Sequence, residues 1–447
     1  MDGGIDVPAA SADWERLGGG SSGSDANPVT VGRIYYSPVM ARAAPGTPVF
    51  AGALVLTIVA VLAAGILGDP GPTQQVSASD TTSRDLAPAK TVAQGGTPEP
   101  TSTAVPNTAP DDGKTADQRT LSLAGTITDP ALRPKSVVAS GNGLFFAQNM
   151  MYAHNVAVYD RDLKQVKVID DEVVPSLFGL EGSASLEGAP VEAVFTSDGS
   201  EAYVSQYKLY GPGKDNPGTD TCAKGTWDDS FLYRIATDTL TIDQVIPVGP
   251  VPKFVAITHD DAMVLVSNWC GYDLSIVDTA TGKETRRVDI GRFPRGIAVA
   301  PDDSVAYVTA MGTSDIAVVD LKTFDVSWIK GVGEAPRSVA LSPDGKTLYV
   351  TLNGEAEVKR IDTATRQVTG EVVTGNQPRS MVLSDDGTAL YVVNYADDTV
   401  SMVRTSDMTE LQELPTRHHP IGITYDKATR RVWVACYVGA LMVFDNT

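Results

Sequence analysis

The chain has 447 residues, with 55 acidic against 35 basic side chains and a net charge of −20. That excess disfavours general attachment to nucleic acid or to an anionic lipid surface. Three cysteines are few for this length.

In chain order, residues 1–48 are rich in Gly, Ser and Ala and read as a disordered cytoplasmic tail. Residues 49–67 are an uncharged, almost wholly apolar run of 19, long enough to cross a bilayer as one transmembrane helix. A cleaved signal peptide would have a shorter apolar core and a shorter leader. No cysteine lies near the run, which excludes a lipoprotein anchor. Arg33 and Arg42 precede the run, whereas Asp69 and Asp80 follow it before Arg84. This bias keeps the N-terminus inside and places the remainder outside the cell, as a single-pass protein of the cell membrane. Residues 68–120, rich in Pro, Thr, Ser and Ala, read as a flexible linker with a reach of roughly 40 Å.

From Pro252 one phrase returns at Pro294, Pro336, Pro378 and Pro420, every 42 residues. Strand-like repeats of this length predict an all-β propeller with one four-stranded blade per unit. In the unit after Pro294, strands are expected at 296–300, 305–310, 315–320 and 325–330. Asp-Gly turns recur at Asp198-Gly199, Asp344-Gly345 and Asp386-Gly387, a strong hairpin signal. Copies at Pro134 and Pro190 bring the total to seven blades within 121–447. Residues 121–127 read as a fourth strand for the last unit, so that an N-terminal strand closes the ring.

The phrases Tyr307-Val308-Thr309, Tyr349-Val350-Thr351, Tyr391-Val392-Val393-Asn394 and Leu265-Val266-Ser267-Asn268 resemble the YVTN-type propeller family over 121–447. The resemblance implies the fold and leaves function open, because one fold hosts many activities.

The first two units depart from the repeat. Pro134 to Pro190 spans 56 residues and Pro190 to Pro252 spans 62. The extra chain falls at 175–188 and 207–227, and the strand order places both insertions on one face, where binding surfaces are often built. Cys222 and Cys270 occupy the same loop of consecutive units, so a disulfide between them is expected outside the cell. Cys436 reads as a buried free thiol.

The residue after each proline is Lys135, Val191, Lys253, Arg295, Arg337, Arg379 or Ile421, five of them basic. Each starts the innermost strand, so the five should ring one mouth of the central channel. Like charges held this close call for an anion or a buried acid. The competing reading has each basic side chain bracing the next blade through its carbonyls. Glu192, near the same mouth, is expected to answer the ring. The ligand-binding candidates are therefore Lys135, Glu192, Lys253, Arg295, Arg337 and Arg379.

No catalytic set, cofactor or metal centre is expected. His154, His418 and His419 could meet on the same face, but adjacent histidines usually point apart. Asp215, Asp220, Asp228 and Asp229 crowd the second insertion without EF-hand spacing and read as solvated acids. The sequence has no C-x-x-C-H, G-x-S-x-G or P-loop motif. The favoured function is a tethered binding scaffold for an anionic small molecule, a cell-envelope component or a protein partner. The alternative is a lactonase- or lyase-like propeller using Glu192, Asn268, Asn394 and His154.

Overall fold

The structure, a computed structural model, describes residues 108–109 and 111–447. The expected tail, the apolar run at 49–67 and the linker up to residue 107 lie outside the described residues. Among the described residues no helix is long and apolar enough to cross a membrane.

Seven four-stranded antiparallel sheets follow one another along the chain. The fourth blade is typical: Pro294–Val299, Val305–Ala310, Asp315–Asp320 and Val326–Ile329 pair in sequence from the channel outward. The seventh blade takes Pro420–Asp426, Arg431–Cys436 and Ala440–Asn446 from the end of the chain, and Leu121–Thr128 pairs antiparallel with the last of these.

Blade faces are apolar on both sides because the core lies between blades. Every pair of consecutive blades shares one buried cluster. Leu265 and Ile276 of blade three meet Ile297 and Val308 of blade four, for example. Blades seven and one are joined in the same way, with Trp433 stacked on Phe145 at 3.9 Å between ring centroids.

Residues 111–120, expected to belong to the flexible linker, instead pack on the propeller. Ala116 is buried, its amide donates to Asp386 (2.8 Å), and the amide of Asp117 donates to Thr388 (3.2 Å). Thr120 and Thr447 exchange backbone hydrogen bonds. The composition of this stretch resembles the linker, but its contacts are tertiary.

One local device helps set where the post-proline side chains of blades three to seven go. Val251, Phe293, Ala335, Gln377 and His419, each just before a proline, have φ between 52° and 59°. This left-handed conformation costs a non-glycine residue about 1–2 kcal/mol. A bulge follows at once. Pro252 pairs with Asn268 and Phe254 with Ser267, so Lys253 has no partner in the ladder. Similar register shifts fall at Val191, Arg295–Gly296, Arg337–Ser338, Arg379 and Ile421. Bulged residues leave the two-residue alternation and can be re-aimed.

Candidate functional site at the basic mouth of the channel

Lys135, Glu192, Arg295, Arg337 and Arg379 line one cavity on the channel axis, together with Val191, Phe254, Ser338, Ser380 and Ile421. Arg337 and Lys253 are buried, and the other charged groups are half-buried.

Crowding is visible in the electrostatics. Burial, reinforced by Arg295, Arg337, Lys253 and Arg379, drives the Lys135 ammonium well below its ordinary pKa. Burial first and then Arg295 and Arg379 do the same to Arg337. Lys253 falls to about 8, chiefly through burial, which the nearby Asp220 partly offsets. Burial raises Glu192 to about 7 against the opposing pull of Ser136, its own strand's Ala193 amide, Arg295 and Lys135.

The second insertion supplies an acid to this ring. Asp220, expected to be solvated, places its carboxylate on the Lys253 ammonium. Burial would raise its pKa, but Lys253 by charge and hydrogen bond, with Lys135 and Arg295, brings it well below the usual carboxylate range. The position is built. Trp269 Nε1 donates to the Asp220 carbonyl (3.0 Å), and Lys253 lies over the rings of Tyr207 (4.1 Å) and Trp269 (5.4 Å). Two residues on, Cys222 is bonded to Cys270 with 5.7 Å between Cα atoms, and Tyr272 donates to the Cys222 carbonyl (3.2 Å). The expected disulfide therefore clamps the segment that carries the counter-charge. Cys436 is free and buried.

The first insertion is tied to the second. Glu187 and Tyr210 exchange backbone hydrogen bonds of 2.9 and 2.7 Å. Residues Glu172–Val173 pair with Leu186–Glu187, and Leu186 joins a small core with Leu209 and Phe231. Of the other acids in the second insertion, Asp229 holds Arg287 by two hydrogen bonds (3.0 and 2.8 Å), and Asp228 accepts the Asn216 amide (2.6 Å).

Bracing between blades falls mostly to hydroxyls. Ser267 donates to the Arg295 carbonyl (2.8 Å), Thr309 to that of Arg337 (3.0 Å), Ser136 to that of Val191 (2.8 Å) and Ser380 to that of Ile421 (2.9 Å). Among the cations only Arg337 acts this way, its Nε donating to the Arg379 carbonyl (3.1 Å). Arg379 lies 3.4 Å over the Tyr395 ring and donates to Gln377 (3.0 Å), while its buried Nε has no hydrogen-bond partner among the described residues.

The groups of the enzymatic alternative are scattered. Asn268 donates to Asp273 and Ser275, and Asn394 to Thr399 and Ser401, all within their own blades. His154 stacks on Tyr210 beside Glu187 (3.3 Å). His418 bonds Asp398 and stacks on His419, which stacks on Tyr395. No metal-ligating group forms among the described residues.

A family profile described as the cytochrome D1 heme domain matches residues 300–437. The residues at this mouth do not fit a haem. The cavity beneath the cations measures about 10 Å³, and no histidine lines it. No curated protein matches the sequence significantly. Among solved structures, a chain of Kuenenia stuttgartiensis hydrazine synthase is similar, with 16% identity, a TM-score of 0.56, and coverage of 72% of this chain and 97% of that one. At that identity the likeness establishes the architecture, a β-propeller.

Proposed function

We propose that the protein is a membrane-tethered, extracytoplasmic propeller of YVTN type that binds an anionic ligand or partner at the basic mouth. The strand Leu121–Thr128 serves as its latch, closing the ring against the last strand of the chain. The 49–67 span anchors it, and the propeller meets an anionic small molecule, a cell-envelope component or an acidic protein segment.

The observation that carries this reading is that most of the cationic heads are not used up in holding the blades together. Hydroxyl groups do that bracing, whereas Lys135 and Arg295 make no direct hydrogen bond to another side chain among the described residues. Asp220 and Glu192 answer only part of the charge of five cations. The cavity among the cations is small, so only a compact anionic group fits between their heads. The scattering of Asn268, Asn394 and His154 favours binding over turnover.

The test is calorimetric titration of the protein with acetate and phosphate, beside an Arg295→Gln, Arg379→Gln variant. Binding that the variant loses supports the proposal. Equal binding by a folded variant returns the ring to a purely structural role.

A further inference from the structure

The channel continues beyond the basic ring into a second cavity of about 330 Å³. The two cavities share Glu192, Phe254, Ser338 and Ser380, so they lie end to end on one axis. They differ in charge: the lysine and arginine side chains line the first and not the second. Below the ring, aliphatic side chains from the innermost strands, among them Val138, Val194, Ile257, Val299, Val382 and Ile423, share the walls with Ser136, Ser338, Ser380 and Thr424. All six aliphatic residues are only half-buried, each turning part of its surface to the channel. Such side chains interact poorly with water, and 330 Å³ is within the lower range of pockets that hold small organic ligands.

The far end of this cavity reaches His259, whose Nδ1 lies 2.8 Å from Asp303. Of the two cavities only the first is lined by lysine and arginine side chains, and beside it Asp220 of the second insertion pairs with Lys253. A channel with aliphatic groups along its walls and a cluster of positive charge at one end suits an anionic amphiphile.

We propose that the channel binds a medium-chain carboxylate, with its head at Lys135, Arg295 and Arg379 and its alkyl chain along the aliphatic walls toward the His259 face. This rests on the anion-binding reading above and gives that site its ligand class. The ligand enters head first from the His259 face, drawn by the field of the ring. Burial of each methylene then adds about fourfold in affinity, equivalent to about 0.8 kcal/mol.

The test is a titration series on the full chain with acetate, butyrate, hexanoate and octanoate, with octanol as the uncharged control. Affinity should climb severalfold with each methylene, and octanol should bind far more weakly than octanoate. The double variant Ile257→Thr, Val382→Thr should lose affinity for octanoate at least tenfold and keep that for acetate. Acetate binding with no gain along the series would overturn this inference and leave the anion site standing. Octanol binding as well as octanoate would overturn it too, by showing that the head is not read. Failure of every carboxylate while phosphate binds would also overturn this inference alone, and failure of phosphate as well would remove the anion site with it.

Discussion

The ammonium of Lys253 rests on the carboxylate of Asp220, residues 33 apart in sequence that belong to different blades. One is the bulged residue of an innermost strand and the other the tip of an insertion. The Lys253 side chain is 4% exposed and that of Asp220 20%, so each charge depends on the other.

Replacing Asp220 by Asn should therefore destabilise the fold by about 3 kcal/mol, the cost of stranding a buried partner. It should also make the mouth more receptive to added anions. Acetate should raise the melting temperature of Asp220→Asn more than that of the wild type. An equal response in both proteins would show that Asp220 does not occupy an anion position.

The Cys222–Cys270 bond closes a loop of 48 residues. In the chain-entropy description a loop of that size stabilises by about 4 kcal/mol. Cys222→Ser, Cys270→Ser should lower stability by up to that amount in denaturant unfolding. It should also increase protease cleavage within 207–227, since the clamp on that segment is gone.

Glu192 sets a pH dependence whose sign is fixed. Its folded-state pKa of about 7 lies above the ordinary 4.5. Between these values the folded state holds the proton more tightly than the unfolded one, so stability falls as pH rises toward 7. The full effect is at most about 3 kcal/mol, less for a group that channel water reaches. Glu192→Gln should flatten the stability profile between pH 4.5 and 7. Anion binding should also weaken above pH 7 in the wild type, as the carboxylate gains charge beside Lys135 and Arg295.

Arg295 and Arg337 are the same residue type at the same repeat position, yet they should respond differently. Arg337 braces the next blade through the Arg379 carbonyl. Arg337→Gln should cost about 1–3 kcal/mol, because a buried acceptor loses its charged donor. Arg295→Gln should leave stability unchanged or slightly improved by relieving like-charge repulsion. Equal destabilisation by both would mean that Arg295 has a structural duty as well.

Removing residues 108–128 exposes the edge of Ala440–Asn446 and the side chain of Asn446, which donates to Tyr391 (2.5 Å) and to the Ala116 carbonyl. The melting temperature should fall by at least several degrees, and the truncated protein should associate through the bare edge. An unaltered melting curve would count against the latch.

The blades were readable because a strict 42-residue spacing reports strand phase directly, and the disulfide was readable because both cysteines fall in equivalent loops. The gathering of Lys135, Glu192, Arg295, Arg337 and Arg379 followed from their shared place at the start of the innermost strand. Asp220 was not readable. It lies in a segment without a repeat partner, so no register says where its side chain lands, and local acidity suggested solvent. The bulges were hidden for a related reason: strand alternation is the sequence signal, and a bulge is the point where alternation fails. The ordered stretch at 111–120 was missed because its small and polar residues gain order only from blades six and seven.

The residues that follow the prolines also make the mouth lopsided. Blades three to six present four consecutive cations, whereas Val191 and Ile421 isolate Lys135 between two uncharged neighbours. Sevenfold repetition would offer an occupant seven equivalent poses. This uneven crown leaves one favoured bearing, so it works as a keyed socket, and a guest with two unlike ends would be told which way to turn.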